Sequence, residues 1–182
     1  MRVITGVAKG RKLSSPKNDR IRPTTDRIKE SLFNIISLRV EGSTFLDCFS
    51  GTGSIGIEAM SRGAKTVFFI DNHKESIQII HKNLMDTGFS RKANVLAMDI
   101  QRGFEALSKK SLKFDIIFMD PPYNMDIIPQ CIQGILQYHL LSDEGCIIAE
   151  HDKNLSLQDE ILYCQRKETR FYGSTGITFY GR

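Results

Sequence analysis

The sequence has little that would indicate a membrane protein, a secreted protein or a metal centre. It contains no apolar run long enough to span a bilayer, and its first residues include no long apolar segment typical of a secretory signal. Internal repeats, low-complexity tracts and evident linkers are also absent from it. A chain of 182 residues is long enough to bury a substantial core without disulfides or metals. We therefore expect one cytoplasmic domain over residues 1–182, acting as a monomer, with residues 1–39 as a basic N-terminal extension.

The cysteines and histidines are few and scattered. The cysteines are Cys48, Cys131, Cys146 and Cys164, and the histidines are His73, His81, His139 and His151. No C-x-x-C pair and no histidine at metal-ligand spacing is found, so we predict reduced, mostly buried thiols and no bound metal. A nucleophilic Cys48 is disfavoured because it has no partner histidine nearby. The histidines share no spacing, which favours surface or capping roles.

Positive charge is concentrated near the amino terminus. Residues 1–29, here called the basic arm, contain nine basic and two acidic residues, whereas the rest of the chain is net acidic. Such a footprint is typical of proteins that bind phosphate backbones, although charge runs are more often solvated tails. Apolar residues alternating with two glycines favour a short hairpin, and we expect it to contact RNA. The candidate RNA-binding residues are Arg11, Lys12, Arg20, Arg22, Thr24 and Arg27.

The most informative stretch is Phe114–Tyr123, which reads FDIIFMDPPY. Its first half is almost purely apolar, β-branched and aromatic, and predicts a strand buried on both faces of a parallel sheet. The run stops at Asp120, and two prolines prevent a strand or helix from continuing. Open α/β sheets bind their ligands at such carboxyl ends of strands. The turn holds the Asp120 carboxylate, the Pro121 carbonyl and the Tyr123 ring close together.

This set of groups suits methylation of a planar exocyclic amino group. That nitrogen is a poor nucleophile because its lone pair is delocalised into the ring. A carboxylate and a carbonyl that accept its two N–H bonds favour a pyramidal nitrogen with its lone pair directed at the incoming methyl group. Tyr123 would stack on the base. The alternative is a Pro121-Pro122 loop that caps the strand, with Asp120 as a solvated turn residue.

A predicted strand at Thr44–Phe49 leads into a glycine loop and a helix. Gly51, Gly53 and Gly56 match G-x-G-x-x-G, which alone suggests a dinucleotide site with a pyrophosphate at the helix N-terminus. Asp47 argues against NAD because a carboxylate just before the loop would repel a phosphate. A cationic or amine-bearing ligand fits better, and S-adenosylmethionine carries both an ammonium and a sulfonium.

Two further acids follow predicted strands. Asp71 ends the strand that begins at Lys65, a position from which a carboxylate can accept both ribose hydroxyls of an adenosine ligand. That role serves NAD and S-adenosylmethionine equally. Asp99 follows the strand that begins at Ala93 and could accept from an adenine amine. It could also cap a helix over residues 101–108, and the two roles are compatible.

Strands and helices alternate along the whole chain. Further predicted helices cover residues 28–36, 74–87 and 127–141, and further strands cover residues 145–150, 161–170 and 176–180. Thr24 or Thr25 can cap the first helix, and Pro129 can sit in the first turn of the last. This order predicts an α/β fold: a doubly wound, mostly parallel seven-stranded sheet with a small basic N-terminal hairpin and helix.

Taken together, the motifs resemble the class I S-adenosylmethionine-dependent methyltransferases, which have a Rossmann-like fold. The matching residues are Asp47, Phe49, Gly51, Gly53, Asp71, Asp99 and the Asp120–Tyr123 turn. The segments Gly10–Leu13, Arg22–Arg27 and Leu32–Asn34, with the short length, resemble the bacterial 16S rRNA guanine-N2 methyltransferase family (RsmD). The resemblance runs from Arg2 to the carboxyl terminus, and Arg22–Arg27 is its more discriminating part.

The resemblance implies a role for each matching position. The methionine end of S-adenosylmethionine would lie at Asp47, Phe49, Gly51 and Gly53, its ribose at Asp71 and Asn72, and its adenine at Asp99 and Ile100. The turn Asp120, Pro121, Pro122 and Tyr123 would hold a flipped guanine at its amino group. The partner implied is 16S rRNA, in an assembled or assembling small subunit.

Three positions depart from the family pattern. Ile4-Thr5-Gly6 stands where relatives usually show a double glycine, Asp71 where glutamate is common, and Ser174 where aspartate is usual. We expect none of them to touch the Asp-Pro-Pro-Tyr turn, and the last two to affect ribose contact and local loop order.

Other functions compete with guanine N2 methylation. Methylation of another exocyclic base amine, such as adenine N6 in DNA or RNA, is the main rival among enzymes, and a NAD oxidoreductase is more distant. A non-catalytic RNA-binding ribosome-assembly factor is the rival from another class. The Asp120–Tyr123 turn beside an intact glycine loop argues against that last alternative.

Overall fold

The computed structural model describes residues 1–16, 26–122 and 127–182. Within them, eight strands form one mixed sheet in the order β3-β2-β1-β4-β5-β8-β7-β6. The strands are β1 Thr44–Cys48, β2 Thr66–Asp71, β3 Ala93–Ala97, β4 Phe114–Met119, β5 Leu141–Asp152, β6 Glu160–Ile161, β7 Cys164–Tyr172 and β8 Thr175–Gly181. The helices are α1 Asp26–Ile35, α2 Ser37–Val40, α3 Ser54–Ser61, α4 Lys74–Thr87, α5 Ile100–Ser108 and α6 Ile127–Gln137. The predicted doubly wound, mostly parallel fold is confirmed.

The first five strands are parallel, and β8 then returns antiparallel to β5 and carries β7 beside it. Successive strands run outwards from β1 to β3, after which the chain crosses back so that β4 pairs with the other side of β1. The order therefore reverses between β1 and β4. Open α/β sheets bind ligands beside the carboxyl ends of the strands at such a switch point.

Neighbouring residues of each central strand face opposite sides of the sheet, and both sides are buried. On β1, Phe45 belongs to an apolar layer with α1, α3 and α4. Its neighbour Leu46 belongs to the layer that includes Phe104 of α5 and Ile132 of α6. None of the described helices is both long and apolar enough to cross a bilayer.

Predicted boundaries are correct where a glycine ends the element. Helix α4 covers Lys74–Thr87, as predicted, and Gly88 after it adopts φ 81°. The prediction that the last helix continues to residue 141 is wrong, because α6 ends at Gln137 and β5 begins at Leu141. His139 reverses the chain with φ 54°, a backbone conformation that the apolar periodicity of the segment does not reveal.

The closing strands also differ from prediction. The run 161–170 is not one strand, because Leu162 adopts φ 54° and folds the two-residue β6 back onto Cys164 and Gln165 of β7. This hairpin accounts for the eighth strand. The four cysteines are free and buried, as expected.

Residues 1–13 form the N-terminal hairpin that the sequence predicts. Arg2 pairs antiparallel with Lys12, and the Val3 amide donates to the Arg11 carbonyl at 3.0 Å. Val3 and Leu13 join the core, whereas Val7 is 87% exposed, so the apolar alternation does not bury all of its members. The division into a domain and a 1–39 extension stays a prediction.

Candidate active site

Strand register places four side chains next to one another at the carboxyl edge of the sheet. Cys48 of β1 is level with Ile70 of β2 and Met119 of β4, and Met119 is level with Ala149 of β5. The next residue of each strand or its extension is therefore Phe49, Asp71, Asp120 or Glu150. Since the strand order reverses between β1 and β4, this row borders the expected ligand crevice.

The loop after β1 turns tightly through left-handed backbone conformations. Gly51 and Gly53 have φ of 55° and 74°, which explains glycine at both positions. Phe49 has φ 57°, rare and strained for a bulky residue, and such strain clusters at functional sites. The Ser50 hydroxyl donates to the Asp47 carbonyl at 2.6 Å and helps hold the turn. Nothing in the sequence signals the strain at Phe49.

Asp47 lies beneath this loop and is only 1% exposed. Its carboxylate accepts from the Gly56 amide in the first turn of α3 at 2.9 Å. Gly56 also needs to be small, because a Cβ there would stand 2.3 Å from the Phe69 ring. Asp47 therefore fastens helix α3 to β1 in this structure, and its contact with the cofactor amine stays a prediction.

Asp71 ends β2 as predicted and organises the same loop. One carboxylate oxygen accepts from the Gly51 amide at 2.8 Å, and the other accepts from the His73 amide at 2.8 Å. Each carboxylate oxygen can accept a second hydrogen bond, so the ribose role stays open to Asp71. The bond to Gly51 is a role that the sequence reasoning missed, since it joins residues twenty positions apart.

The predicted adenine residues lie at the next strand end. Asp99 accepts from the Arg102 amide at 3.1 Å and caps helix α5, so the predicted capping role is confirmed. Ile100 is half-buried and begins that helix, and Asn72 after β2 is exposed. Their cofactor contacts stay predictions.

Asp120, Pro121 and Pro122 line a cavity of about 270 Å³. Glu150, Ser174 and Thr175 line the same cavity. Ser174, one of the three departures from the family pattern, therefore shares this cavity with the Asp120 turn, because β8 pairs with β5. Tyr123 lies outside the described residues.

His151 also lines this cavity, although the sequence reasoning gave it a surface or capping role. That assignment is wrong, because His151 is 8% exposed. Its Nδ1–H donates to the Asp152 carbonyl at 2.8 Å, and its Nε2 lies 2.8 Å from the Thr178 hydroxyl. Burial lowers the pKa of the imidazole, which favours a neutral ring whose Nε2 accepts from Thr178. In the sequence, Glu150 separates His151 from the apolar run of β5, so the run does not reveal this burial.

The edge is electrostatically negative. Burial raises the pKa of the Asp47 carboxyl well above its usual range, and the nearby carboxylates of Asp71 and Asp120 raise it further. A ligand with positive charge would relieve this repulsion, whereas a pyrophosphate would add to it. The charge of the site thus fits S-adenosylmethionine better than a dinucleotide.

The candidate RNA-binding residues are only partly within the described chain. Arg11, Lys12 and Arg27 are exposed. Arg20, Arg22 and Thr24 lie outside the described residues. Lys29, counted in the basic arm, is fully buried, so its charge does not contribute to the surface.

The N-terminal hairpin is fixed to α3 by a buried carboxylate. Glu58 accepts from the Ile4 and Thr5 amides at 2.8 and 3.0 Å and from Arg62 Nε at 2.8 Å. The buried Lys29 ammonium lies 3.8 Å from the same carboxylate and donates to the Arg2 carbonyl at 2.7 Å. We call Glu58, Lys29 and Arg62 the charge clamp. It makes the hairpin part of the core and not a solvated tail.

Asn83 of α4 joins the arm to the glycine loop. Its side-chain carbonyl accepts from the Ser14 amide at 2.7 Å, and its side-chain NH₂ donates to the Ser14 and Thr52 carbonyls at 3.1 and 2.9 Å. The hairpin, helix α4 and the glycine loop are thus one connected structure.

The family model described as "Conserved hypothetical protein 95" matches residues 1–181. The chain belongs to this family, the RsmD family. Among RsmD-like relatives, a Bacillus subtilis protein named "Putative rRNA methyltransferase YlbH" is 40% identical over 182 residues, covering 99% of this chain and 98% of its own. The Haemophilus influenzae "Ribosomal RNA small subunit methyltransferase D" is 32% identical over 180 residues, covering 99% and 91%.

A solved structure agrees with this assignment. The Escherichia coli protein titled "Putative methyltransferase yhhF" superposes with a TM-score of 0.86 at 31% identity, covering 100% of this chain and 97% of that one. The cofactor of the RsmD family is S-adenosylmethionine.

Proposed function

We propose that this protein transfers a methyl group from S-adenosylmethionine to the exocyclic N2 amine of one guanine in small-subunit (16S) rRNA. The observation that carries the proposal is the position of Asp120. It stands level with the loop that follows β1 and lines a cavity open to a second ligand. Two ligands bound on either side of the Asp120 turn would meet there.

The residues on the β1 side would bind the cofactor. The Gly51–Gly53 backbone turn, with Asp47 behind it, would receive the methionine end, where negative charge favours the ammonium and sulfonium. Asp71 and Asn72 would bind the ribose, and Asp99 with Ile100 would bind the adenine. S-adenosylmethionine supplies an activated methyl group when bound.

The Asp120 turn would bind the guanine. The Asp120 carboxylate and the Pro121 carbonyl each accept one N–H of the amine and so hold the nitrogen lone pair in line with the methyl group. Positioning of this kind accounts for most of the rate acceleration. Asp120 also stabilises the positive charge that grows on nitrogen and can accept the proton that leaves. Tyr123 would stack on the base.

A stacked base must leave its stack to reach this cavity, as in other base-modifying enzymes. The exposed Arg11, Lys12 and Arg27 would hold the phosphate backbone while it does so. Because the charge clamp and Asn83 fix the hairpin to the loop side of the domain, these contacts would orient the RNA relative to the cofactor.

Incubation with small ribosomal subunits from a strain that lacks the enzyme tests the proposal. Nucleoside mass spectrometry should find one N2-methylguanosine per subunit, whereas N6-methyladenosine would identify the rival amine and no product would refute the reaction. Asp120→Ala should abolish transfer while cofactor affinity stays near wild type. Asp143→Ala, an exposed acid paired with Arg182, is the matched control. Asp120→Asn keeps an acceptor without the charge and should be slow but measurable.

A further inference from the structure

A second cavity of about 360 Å³ adjoins the one beside Asp120. His151 and Leu155 line both cavities, so a chain of nucleotides that places one base in the first would continue past the second. The residues of the second cavity come from β5, β7 and β8 and the segment after β5. No motif in the sequence points to it.

Phe171 of β7 lines this second cavity and is 61% exposed. Strand register places Gly176 of β8 between Phe171 and His151. Gly176 must lack a side chain, because a Cβ there would stand 2.4 Å from the His151 ring. The His151 ring therefore covers the sheet at Gly176, and the neighbouring Phe171 ring presents a flat apolar surface to solvent.

Positive charge stands along the same strand. From Cys164 to Tyr172, β7 has three basic residues and one acidic residue. Arg166 pairs with Asp159, and Arg170 pairs with Glu168. Over the described ranges 1–16, 26–122 and 127–182, no carboxylate pairs with the exposed Lys167, which also lines the second cavity. Its ammonium is available to an anionic ligand.

We infer that the second cavity is a subsite for a nucleotide next to the target guanine in single-stranded RNA. The base of that nucleotide stacks on Phe171, and a phosphate of the same strand lies at Lys167. An exposed aromatic ring with a nearby cation is the combination that single-strand RNA sites use. Phe171 and Lys167 are four residues apart, about 13 Å along a strand, so the stacked base and the bound phosphate belong to neighbouring nucleotides.

The inference rests on the proposed function, which identifies the target base as a guanine. It assigns RNA contacts to the end of the sheet opposite β3, outside the basic arm. The Thr169 and Thr178 hydroxyls lie 2.9 Å apart, and both residues line the second cavity, as Phe171 and Lys167 do. Because Thr178 donates to His151 and accepts from Thr169, it is the half-buried Thr169 oxygen that can accept a hydrogen bond from a base edge or a 2′-hydroxyl.

Variants of Phe171 and Lys167 test the subsite. Phe171→Ala should weaken binding of protein-free 16S rRNA about 5- to 100-fold. Phe171→Tyr keeps a flat ring and should bind like wild type. Lys167→Gln should flatten the slope of log affinity against log salt by about 0.7–0.9. Affinity for S-adenosylmethionine should not change in any of them.

Two exposed residues that precede the central strands β1 and β4 supply matched controls. Leu38→Ala removes a side chain that is 98% exposed, and Lys113→Gln removes an exposed ammonium. If Phe171→Ala and Lys167→Gln bind RNA as tightly as these controls, the subsite is overturned, even if the wild type methylates rRNA. A loss of RNA affinity in a protein that makes no methylguanosine supports the subsite while the proposed reaction fails. Phe171→Ala could instead methylate assembled subunits more slowly while it binds protein-free rRNA like wild type. That result would assign Phe171 to a ribosomal-protein contact and overturn the inference.

Discussion

Replacing Glu58 with glutamine should destabilise the protein strongly although the two side chains have the same shape. The Glu58 carboxylate is fully buried and satisfies two hairpin amides, the Arg62 guanidinium and the Lys29 ammonium. Glutamine can still accept hydrogen bonds through one oxygen, but its NH₂ group would face an N–H that needs an acceptor. It also leaves the buried Lys29 without its closest anion.

The size of the effect follows from this burial. Removing one partner of a buried ion pair costs about 3–5 kcal/mol because the other charge stays uncompensated. For a domain of this size each kcal/mol lowers the melting temperature by about 2–4 °C, so a drop of roughly 6–20 °C is expected. Burial lowers the pKa of Lys29, and Glu58 opposes that change, so the variant should lower the pKa of Lys29 further.

Urea unfolding at neutral pH measures the loss of stability, and hydrogen exchange at the Ile4 and Thr5 amides reports directly on the hairpin. Glu30→Gln, at an exposed position of α1, is the control and should unfold like wild type. Adding Lys29→Met to Glu58→Gln should recover part of the loss, because the uncompensated ammonium is then gone. Ordinary surface changes alter the free energy of unfolding by no more than about 0.5 kcal/mol. If Glu58→Gln stays within that range and its hairpin amides stay protected, the charge clamp is refuted.

Three further predictions concern the site and the arm. Asp71→Ala should weaken S-adenosylmethionine binding roughly tenfold to a hundredfold, since it removes charge-assisted hydrogen bonds of about 1.5–3 kcal/mol, and unchanged affinity by calorimetry would contradict the ribose assignment. The folded state raises the pKa of Asp47, so this group costs stability as pH rises above its ordinary value of 3.8. In urea unfolding, Asp47→Asn should therefore gain stability relative to wild type as the pH rises above that value, because asparagine carries no charge to bury; a difference independent of pH would oppose this interpretation. Changing both Arg11 and Lys12 to glutamine should flatten the salt dependence of RNA binding by about 1.4–1.8 and leave cofactor affinity unaltered, and an unchanged slope would place the RNA elsewhere.

Local signals in the sequence predict much of the sheet and the positions of its acids. The apolar runs before Asp71 and Asp120 are strands buried on both faces, so each acid emerges at the carboxyl edge when the strand stops. Helix α4 ends where predicted because Gly88 adopts the left-handed conformation that ends it. Hydrophobic period and glycine act over a few residues, and for that reason they can be read directly from the chain.

Contacts between distant residues could not be predicted in the same way. Nothing near Glu58 in the sequence shows that a helical glutamate will be buried by a hairpin more than fifty residues earlier. His151 is buried because β8 pairs with β5, which brings Thr178 to its ring. Leu162 and His139 take up positive φ without a glycine, so the reversals at these two residues carry no local signal.

The position of β8 has a consequence for how the protein folds. It is the last strand in chain order, yet it lies between β5 and β7 and is hydrogen-bonded to both. During synthesis, β5 and the β6–β7 hairpin emerge first and have no partner for their facing edges until β8 follows. The cavity wall at Ser174 and Thr175, and the hydrogen bond from Thr178 to His151, therefore cannot form until β8 has emerged. A nascent chain that has already built its glycine loop would still lack this wall of the cavity.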